Sequence, residues 1–425
     1  MKNNANSVLE KVLERIKPSK EELKEIDDSV REFIGKIEKN KKRFKVHADV
    51  FVGGSSAKGT LIKKENYDID IFVRFEKKHE KENFSDLTEK LLSGIKKERI
   101  HGSRDYFKIE VGKGVFFEVV PVKKIRNNKE SENVTDLSYF HVNYIKKKLK
   151  GKTLDEVRLA KAFCHATSCY GAESYIRGFS GYAIELLINH YGSFMKFVKA
   201  MKEVKPGEKF IIDTEKLHKN KNAILMDLNS AKLTSPIILI DPTHKQRNAL
   251  AALSEETFRK FQNACRSFLK NPTEEAFNEK NVDFESMEKM ARKKGYDFVL
   301  LEAKTGRQEG DIAGSKLLKF YNHLTKETSK SFEIKKQGFE YKGKKTAKLA
   351  FVGKARKGII ARGPEIKDAK NVKQFKMHHK KTFIKGNRIY SKENINLGLK
   401  DFITRWKNSN TDRIKEMFIL DLKIV

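Results

Sequence analysis

The sequence predicts an α+β protein of several domains. Three observations lead there. The length, 425 residues, exceeds what one hydrophobic core organises and corresponds to two to four domains. The apolar period switches along the chain from helical to alternating and back to helical. Basic residues thicken toward the C-terminus while aromatic residues persist, so that region folds rather than trailing as a polycation. The chain divides on these grounds into an α+β segment at 1–134, a helical segment at 135–272 and a basic α+β segment at 273–425.

Residues 7–44 read as helical. Val8, Leu9, Val12, Leu13 and Ile16 recur at helical spacing, and Pro18 interrupts them. Ser19-Lys20-Glu21-Glu22 then forms a capping box for a second helix through Leu23, Ile26, Val30, Phe33, Ile34 and Ile37. His47 to Val52 is short, β-branched and aromatic, as a strand requires, and Gly53-Gly54-Ser55-Ser56 ends it. In the strand 68–75, Ile69, Ile71 and Val73 alternate with Asp68, Asp70 and Phe72. Residues 106–111 and 115–120 form a hairpin around Gly112-Lys113-Gly114. Helices follow at 136–149, 153–170, 179–191 and 193–203. Asp241-Pro242 marks a break before a helix at 254–269. Strands are expected at 298–302 and 347–352. No repeat at a solenoid period is present.

Composition excludes several classes. Lys and Arg total 90 against 57 acidic residues, a net charge of +33, which favours polyanionic partners. With 29 Phe the chain is too aromatic for a disordered polycation, and seven Pro and 25 Gly exclude collagen-like architecture. No apolar run approaches the roughly 20 residues that span a bilayer. The N-terminus, Met1-Lys2-Asn3-Asn4-Ala5-Asn6, leads into an amphipathic pattern rather than an apolar signal core. Cys164, Cys169 and Cys265 cannot close a disulfide framework and find no His pair at zinc spacing, so they read as buried apolar residues of a reducing cytoplasm. Residues 333–390 hold 18 Lys/Arg against four acidic residues, interleaved with Phe339, Tyr341, Phe351, Phe375, Phe383 and Tyr390. Cations and aromatic rings together are the ingredients of a nucleic-acid surface.

The chemistry concentrates between Phe51 and Phe72. A P-loop needs glycine before its lysine and a hydroxyl residue after it, and the order Lys58-Gly59-Thr60 fails that test. What remains is a strand, a Gly54-Ser55 turn and an acidic strand. Asp68 and Asp70 stand two apart, so both carboxylates leave the strand on one face. Like charges held so close repel unless a cation lies between them. Oxygen-only ligation suits Mg²⁺. Two-metal phosphoryl transfer adds a third carboxylate from a neighbouring strand, and Glu118 supplies one within the apolar run Phe116 to Pro121.

This ordered set resembles the nucleotidyltransferase superfamily of polymerase-β-like enzymes. Ser138-Tyr139-Phe140-His141, Glu156 to Lys161, Tyr170-Gly171-Ala172-Glu173, Arg177-Gly178-Phe179-Ser180-Gly181-Tyr182 and Asp241-Pro242 through Arg247-Asn248 narrow it. Together they resemble the archaeal, class I CCA-adding enzymes. The resemblance implies a nucleotidyltransferase head with a mixed sheet at 1–134, a helical nucleotide-binding neck at 135–272 and an RNA-binding body and tail at 273–425. It implies that Asp68, Asp70 and Glu118 are catalytic and hold two Mg²⁺ ions. It implies nucleotide binding by Gly54, Ser55, Lys58, Ser138, His141, Lys161, Tyr170 and Arg247. Ser55 and Lys58 would hold the triphosphate, Ser138 and His141 the sugar and phosphate, Lys161 and Tyr170 the β- and γ-phosphates, and Arg247 the base. Many relatives carry Arg where this chain has Lys58, and Glu and Asp where it has Asp68 and Glu118. Arg177 reads equally as a structural partner of Glu173 one turn earlier. Phe179 and Tyr182 are assigned to the core.

The activity implied is untemplated addition of C, C and A to the 3′ end of tRNA from CTP and ATP, in the cytoplasm, by a homodimer without membrane contact. A poly(A)-polymerase-like transferase, or an RNA-binding protein that kept the fold, are the alternatives.

Overall fold

The computed structural model describes residues 5–425 except 103, 113, 206, 280, 358, 380 and 394–396. Met1 to Asn4 and Lys113 of the expected hairpin turn therefore lie outside the described residues. The chain forms two compact units, residues 1–280 and 281–425.

The first unit opens with α1 (Ala5–Ile16) and α2 (Lys20–Phe44), divided at Pro18 as the sequence predicts. The capping box is formed: Glu22 N donates to Ser19 Oγ at 3.1 Å and Ser19 N to Glu22 Oε2 at 2.7 Å. A five-stranded mixed sheet follows, built from β1 (Ala48–Val52), β2 (Tyr67–Phe75), β3 (Glu98–Ile100), β4 (Tyr106–Gly112) and β5 (Val115–Lys123) in the order β1-β2-β5-β4-β3. The four-residue α3 (Gly54–Ala57) links β1 to β2, and α4 (Phe84–Leu91) links β2 to β3. β2 and β5 run parallel; every other pair is antiparallel.

Alternation along β2 decides the two faces of this sheet. Ile69, Ile71, Val73 and Phe75 are buried against Ile26, Val30, Phe33 and Ile37 of α2, with Phe107, Phe117 and Val119. Each large apolar side chain so buried contributes roughly 1.5–3 kcal/mol. Asp68, Asp70 and Glu118 are left for the other face.

A second core lies in the helices α5 (Ser138–Lys148), α6 (Lys152–Ala166), α7 (Gly181–Tyr191), α8 (Phe194–Glu203) and, later, α10 (Glu255–Lys270). Val8, Leu9, Val12 and Ile16 of α1 belong to this core rather than to the sheet's. The N-terminal helix thus packs on a segment more than a hundred residues downstream. Cys164, Cys169 and Cys265 are free and buried here. Between α8 and α10 a small sheet forms from β6 (Phe210–Ile212), β7 (Ile237–Asp241) and β8 (His244–Asn248), with α9 (Lys221–Asp227) beside it.

The second unit starts with α11 (Phe284–Lys294), β9 (Asp297–Thr305), α12 (Asp311–Ser331), β10 (Phe332–Tyr341) and β11 (Thr346–Ala355). A second sheet follows from β12 (Ile359–Glu365), β13 (Thr382–Lys385) and β14 (Arg388–Glu393), with α13 (Ala369–His378) between β12 and β13. The chain returns through α14 (Leu399–Ser409) and α15 (Thr411–Glu416) to β15 (Ile419–Ile424). β15 joins the first sheet of this unit in the order β10-β11-β9-β15, and the second sheet runs β12-β14-β13. Phe320, Phe332, Phe351 and Leu349 fill its core. Among the described residues, no helix is long and apolar enough to cross a membrane.

Candidate active site

The parallel register sets Asp70 on β2 directly beside Glu118 on β5, and Asp68 beside Phe116. The three carboxylates expected from the sequence therefore share one sheet face on adjacent strands. Asp68 is exposed, while Asp70 and Glu118 are half-buried. Burial pushes the Glu118 carboxyl up to about 7, and the charges of Asp70 and Asp68 add to it. Burial also raises Asp70, against the opposing charge of Lys58. A cation already faces this group: Lys108, paired with Glu118 across β4 and β5, places Nζ 3.3 Å from Asp68 Oδ1. Among the described residues, no three His, Cys, Asp or Glu side chains converge closely enough to hold an ion as they stand. The donor set nevertheless fits a divalent cation. It is all oxygen, it is anionic, and burial holds Glu118 and Asp70 toward the neutral form, a cost that a cation beside them would relieve.

The Gly53-Gly54 turn is shaped around Asp70. Gly53 N donates to the Asp70 carbonyl at 2.8 Å. Gly54 has φ +57°, and a Cβ there would overlap the Asp70 carboxylate. Only glycine satisfies both demands. Ser55 follows half-buried in α3, and the segment beyond is fixed by Arg158, whose guanidinium donates to Leu61 O at 2.9 Å and Gly59 O at 2.6 Å.

Lys58 and Lys161, 103 residues apart, meet on the buried carboxylate of Glu185 on α7. Lys58 Nζ is 2.5 Å from Oε2, and Lys161 Nζ is 2.9 Å from Oε1. Lys161 also donates to Thr60 Oγ1 at 2.9 Å, and that hydroxyl donates to Glu185 Oε1 at 2.8 Å. Burial alone would raise Glu185; the two lysines outweigh it and hold the carboxyl down to about 2. Tyr170 is brought to Lys161 across Gly181, where a Cβ would press on the Tyr170 hydroxyl at 2.8 Å and face Lys161 Nζ at 3.8 Å. His165 stacks on Tyr170 with centroids 3.9 Å apart. The nine-residue spacing of Lys161 and Tyr170 hides this proximity, because α6 ends between them.

His141 and Arg247 are joined in the same manner, through Asp241 at the end of β7. His141 Nε2 lies 3.0 Å and Arg247 Nη1 2.6 Å from Asp241 Oδ2. Tyr182 Oη donates to Asp241 Oδ1 at 3.0 Å, and Thr243 N and Oγ1 each donate there at 2.8 Å. Burial would raise the Asp241 carboxyl, but these partners hold it well below the usual carboxylate range. Arg247 is its lasting cation, since burial pushes His141 down toward the neutral form. Ser138 opens α5 half-buried, one turn before His141.

Tyr182 packs partly buried against the helical core, as expected, and also reaches the Asp241 cluster. Its ring stacks on His141 at 4.0 Å, and Lys58 Nζ lies 5.7 Å from its centroid, so it joins Lys58 to the Asp241 cluster. Phe179 is core as expected, fully buried. Arg177 has φ +52° and acts through its backbone, donating N–H to Glu173 O at 2.7 Å and accepting from Ser254 N at 2.9 Å. Thr60, Lys108 and Glu185 escaped the sequence reading, which names Tyr182 and Asp241 only as parts of motifs, without a place in the site. Glu185 carries the signal that identified Glu118: a lone charge inside an apolar run, Ala183 to Ile188.

A family model described as "tRNA nucleotidyltransferase, second domain" matches residues 155–278. One described as "Second Messenger Oligonucleotide or Dinucleotide Synthetase domain" matches residues 1–140. The CCA-adding enzyme of Nanoarchaeum equitans is 44% identical over 212 residues, 49% of this chain and 52% of that protein. The CCA-adding enzyme of Methanocaldococcus jannaschii is 34% identical over 303 residues, 69% of this chain and 66% of that protein. The chain thus spans between half and two thirds of the length of these relatives. A solved structure of Cid1 with its short product ApU superposes with a TM-score of 0.51 at 14% identity, over 65% of this chain and 98% of that one, a likeness of fold alone. The head sheet, the helical segment behind it and the matches that cover both place the chain in one family: it belongs to the archaeal, class I CCA-adding tRNA nucleotidyltransferases.

Proposed function

We propose that the chain adds C, C and A to the 3′ end of tRNA without a template, transferring CMP and AMP from CTP and ATP. The observation that carries this reading is the meeting of three elements in one unit: the acidic strand face, the Lys58–Lys161 pair and the Arg247–Asp241 pair. They match, in chemistry, the α-phosphorus, the leaving phosphates and the base of a bound nucleotide. Asp68, Asp70 and Glu118 would hold Mg²⁺, which supplies Lewis acidity toward the attacking hydroxyl and the leaving group. In the transfer, the RNA 3′ oxygen bonds to the α-phosphorus as the bond from that phosphorus to the pyrophosphate oxygen breaks. The hydroxyl proton passes to solvent.

This chain's residues then have separable duties. Lys58, Lys161 and Tyr170 neutralise or hydrogen-bond the departing pyrophosphate. Ser55 and the backbone of the Gly53-Gly54 turn seat the triphosphate beside Asp70. Ser138 and His141 contact the sugar and phosphate. Arg247 faces the base: a guanidinium only donates, and cytosine N3 and adenine N1 accept, whereas uracil N3 and guanine N1 carry a proton. The mismatch disfavours U and G by roughly 1–3 kcal/mol. Asp241 supports this role, since it takes one nitrogen of Arg247 and fixes the plane of the rest. The C-terminal unit, with 35 Lys/Arg against 17 acidic residues, would hold the tRNA by its phosphates and shape. Three buried free thiols suit a cytoplasmic setting.

Single-nucleotide extension tests the reading. The protein, Mg²⁺ and a tRNA ending at the discriminator base are mixed with each labelled nucleotide alone and in pairs. The expected outcome is C from CTP, then one A only when ATP is present, and no incorporation by Asp70→Ala. A long A tail without CTP would instead indicate a poly(A)-polymerase-like transferase. Tight tRNA binding without incorporation would indicate an RNA-binding relative.

A further inference from the structure

Glu185 has no part in the proposed chemistry, yet it sits at the centre of the phosphate side of the site. Its side chain is shut off from solvent, and the side chains of Lys58 and Lys161 are only 8% and 3% exposed. Each lysine takes one of its two oxygens, at 2.5 and 2.9 Å, and Thr60 shares the second. Burying a carboxylate is expensive, and a position on α7 that needed only packing would be filled by leucine or methionine. Two ammonium groups brought together without it would repel, and a buried lysine sheds its proton readily.

We propose, on the reading that this pocket takes a nucleoside triphosphate, that Glu185 is a positioning residue: its one carboxylate spans Lys58 and Lys161, keeps both cationic and side by side, and sets the charge they offer the phosphates at +1. A pair at +2 would grip the product pyrophosphate as tightly as the substrate. A pair reduced by loss of a proton would present one cation in an undefined place.

The other groups facing the pair are Asp70 from β2, Lys64 from the loop before it, His141 from α5, His165 from α6, Tyr170 and Tyr182. Burial lowers both histidines and raises both tyrosines, so none of the four titrates between about pH 7 and about 9.5. Asp70 and Lys64 are common to wild type and variant, so comparing the two cancels them.

The test measures the affinity ratio of MgATP to AMP on the full chain across that pH range, with melting curves as the check on folding. Burial draws Lys161 down and Glu185 opposes it, so wild type and Glu185→Asp are expected to lose less of the ratio across that range than Glu185→Gln does. In Glu185→Gln one lysine loses its proton, and the ratio falls by about tenfold or more as pH rises. A fall no larger in Glu185→Gln than in wild type would overturn the proposal and leave Glu185 a packing residue. Where that variant does not fold, the charge-balanced pair decides. Lys161→Met leaves Lys58 neutralised by Glu185, and adding Glu185→Gln is expected to restore about tenfold of the ratio. A further loss in the double variant overturns the proposal. A wild type that fails to prefer MgATP over AMP would overturn the nucleotide reading itself.

Discussion

Gly54 carries the most demanding backbone of the site. Its φ of +57° costs an L-residue roughly 1–2 kcal/mol, and its missing Cβ is the space that the Asp70 carboxylate occupies. Gly54→Ala is therefore expected to act on the chemistry more than on the fold. Displacing Asp70 should lower the extension rate by about a hundredfold, the order that a misplaced reacting group costs. Stability should fall by only about 1–2 kcal/mol. Extension rate and denaturant midpoint measured on one preparation separate the two; a variant with normal rate would show that Asp70 has room to spare. The same residue-scale logic divides what could be read from what could not. Asp68 and Asp70 are legible because alternation with Ile69 and Ile71 puts them on one face. Asp241 and Thr60 are not. A carboxylate before proline and a threonine after glycine are ordinary turn residues until β7 and α7 bring their partners.

At the scale of elements, α2 shows a helix whose start is written locally. Pro18 stops the preceding helix, and the Ser19–Glu22 box satisfies two backbone donors that the first turn would otherwise leave open. Ser19→Ala is expected to cost about 1 kcal/mol, seen as a lower denaturant midpoint, with nucleotide affinity unchanged. A loss of affinity would mean that α2 sets the position of the acidic strands and does more than cover them. Elements with such local punctuation were legible: α2, β2, the β4–β5 hairpin and α10 begin or end within a few residues of where the periodicity puts them. Those without it were not. β8, with the sequence His-Lys-Gln-Arg-Asn, has no apolar alternation and becomes a strand only by pairing with fully buried β7. α12 carries Gly314 in a mixed polar sequence, and its helical face is settled by the sheet it covers. The place of α1 in the helical core, rather than beside the sheet that follows it, is likewise a tertiary fact.

At the scale of the whole molecule, charge is unevenly shared. Residues 281–425 carry +18 of the net +33 on about a third of the chain. The residues proposed to hold the nucleotide all lie in residues 1–280, so the two duties proposed for the protein fall on different units. The sequence analysis puts the basic segment at 273–425, and the second compact unit runs over 281–425. Removing residues 326–425 would cut through α12 and expose the core residues Phe320, Tyr321 and Leu324, whereas a cut at 280 removes a unit with its own core. The chain ending at residue 280 is expected to fold, to bind MgATP within about twofold of the full protein, and to lose tRNA affinity by about a hundredfold or more at moderate salt. Its remaining tRNA binding should also depend less steeply on salt, because each phosphate contact removed takes with it about one unit of the slope. Both quantities come from one titration series at several salt concentrations. A folded truncation with unchanged tRNA affinity would move the RNA contacts onto the first unit. Lost affinity with an unchanged slope would mean that the C-terminal unit holds tRNA by contacts other than its lysines.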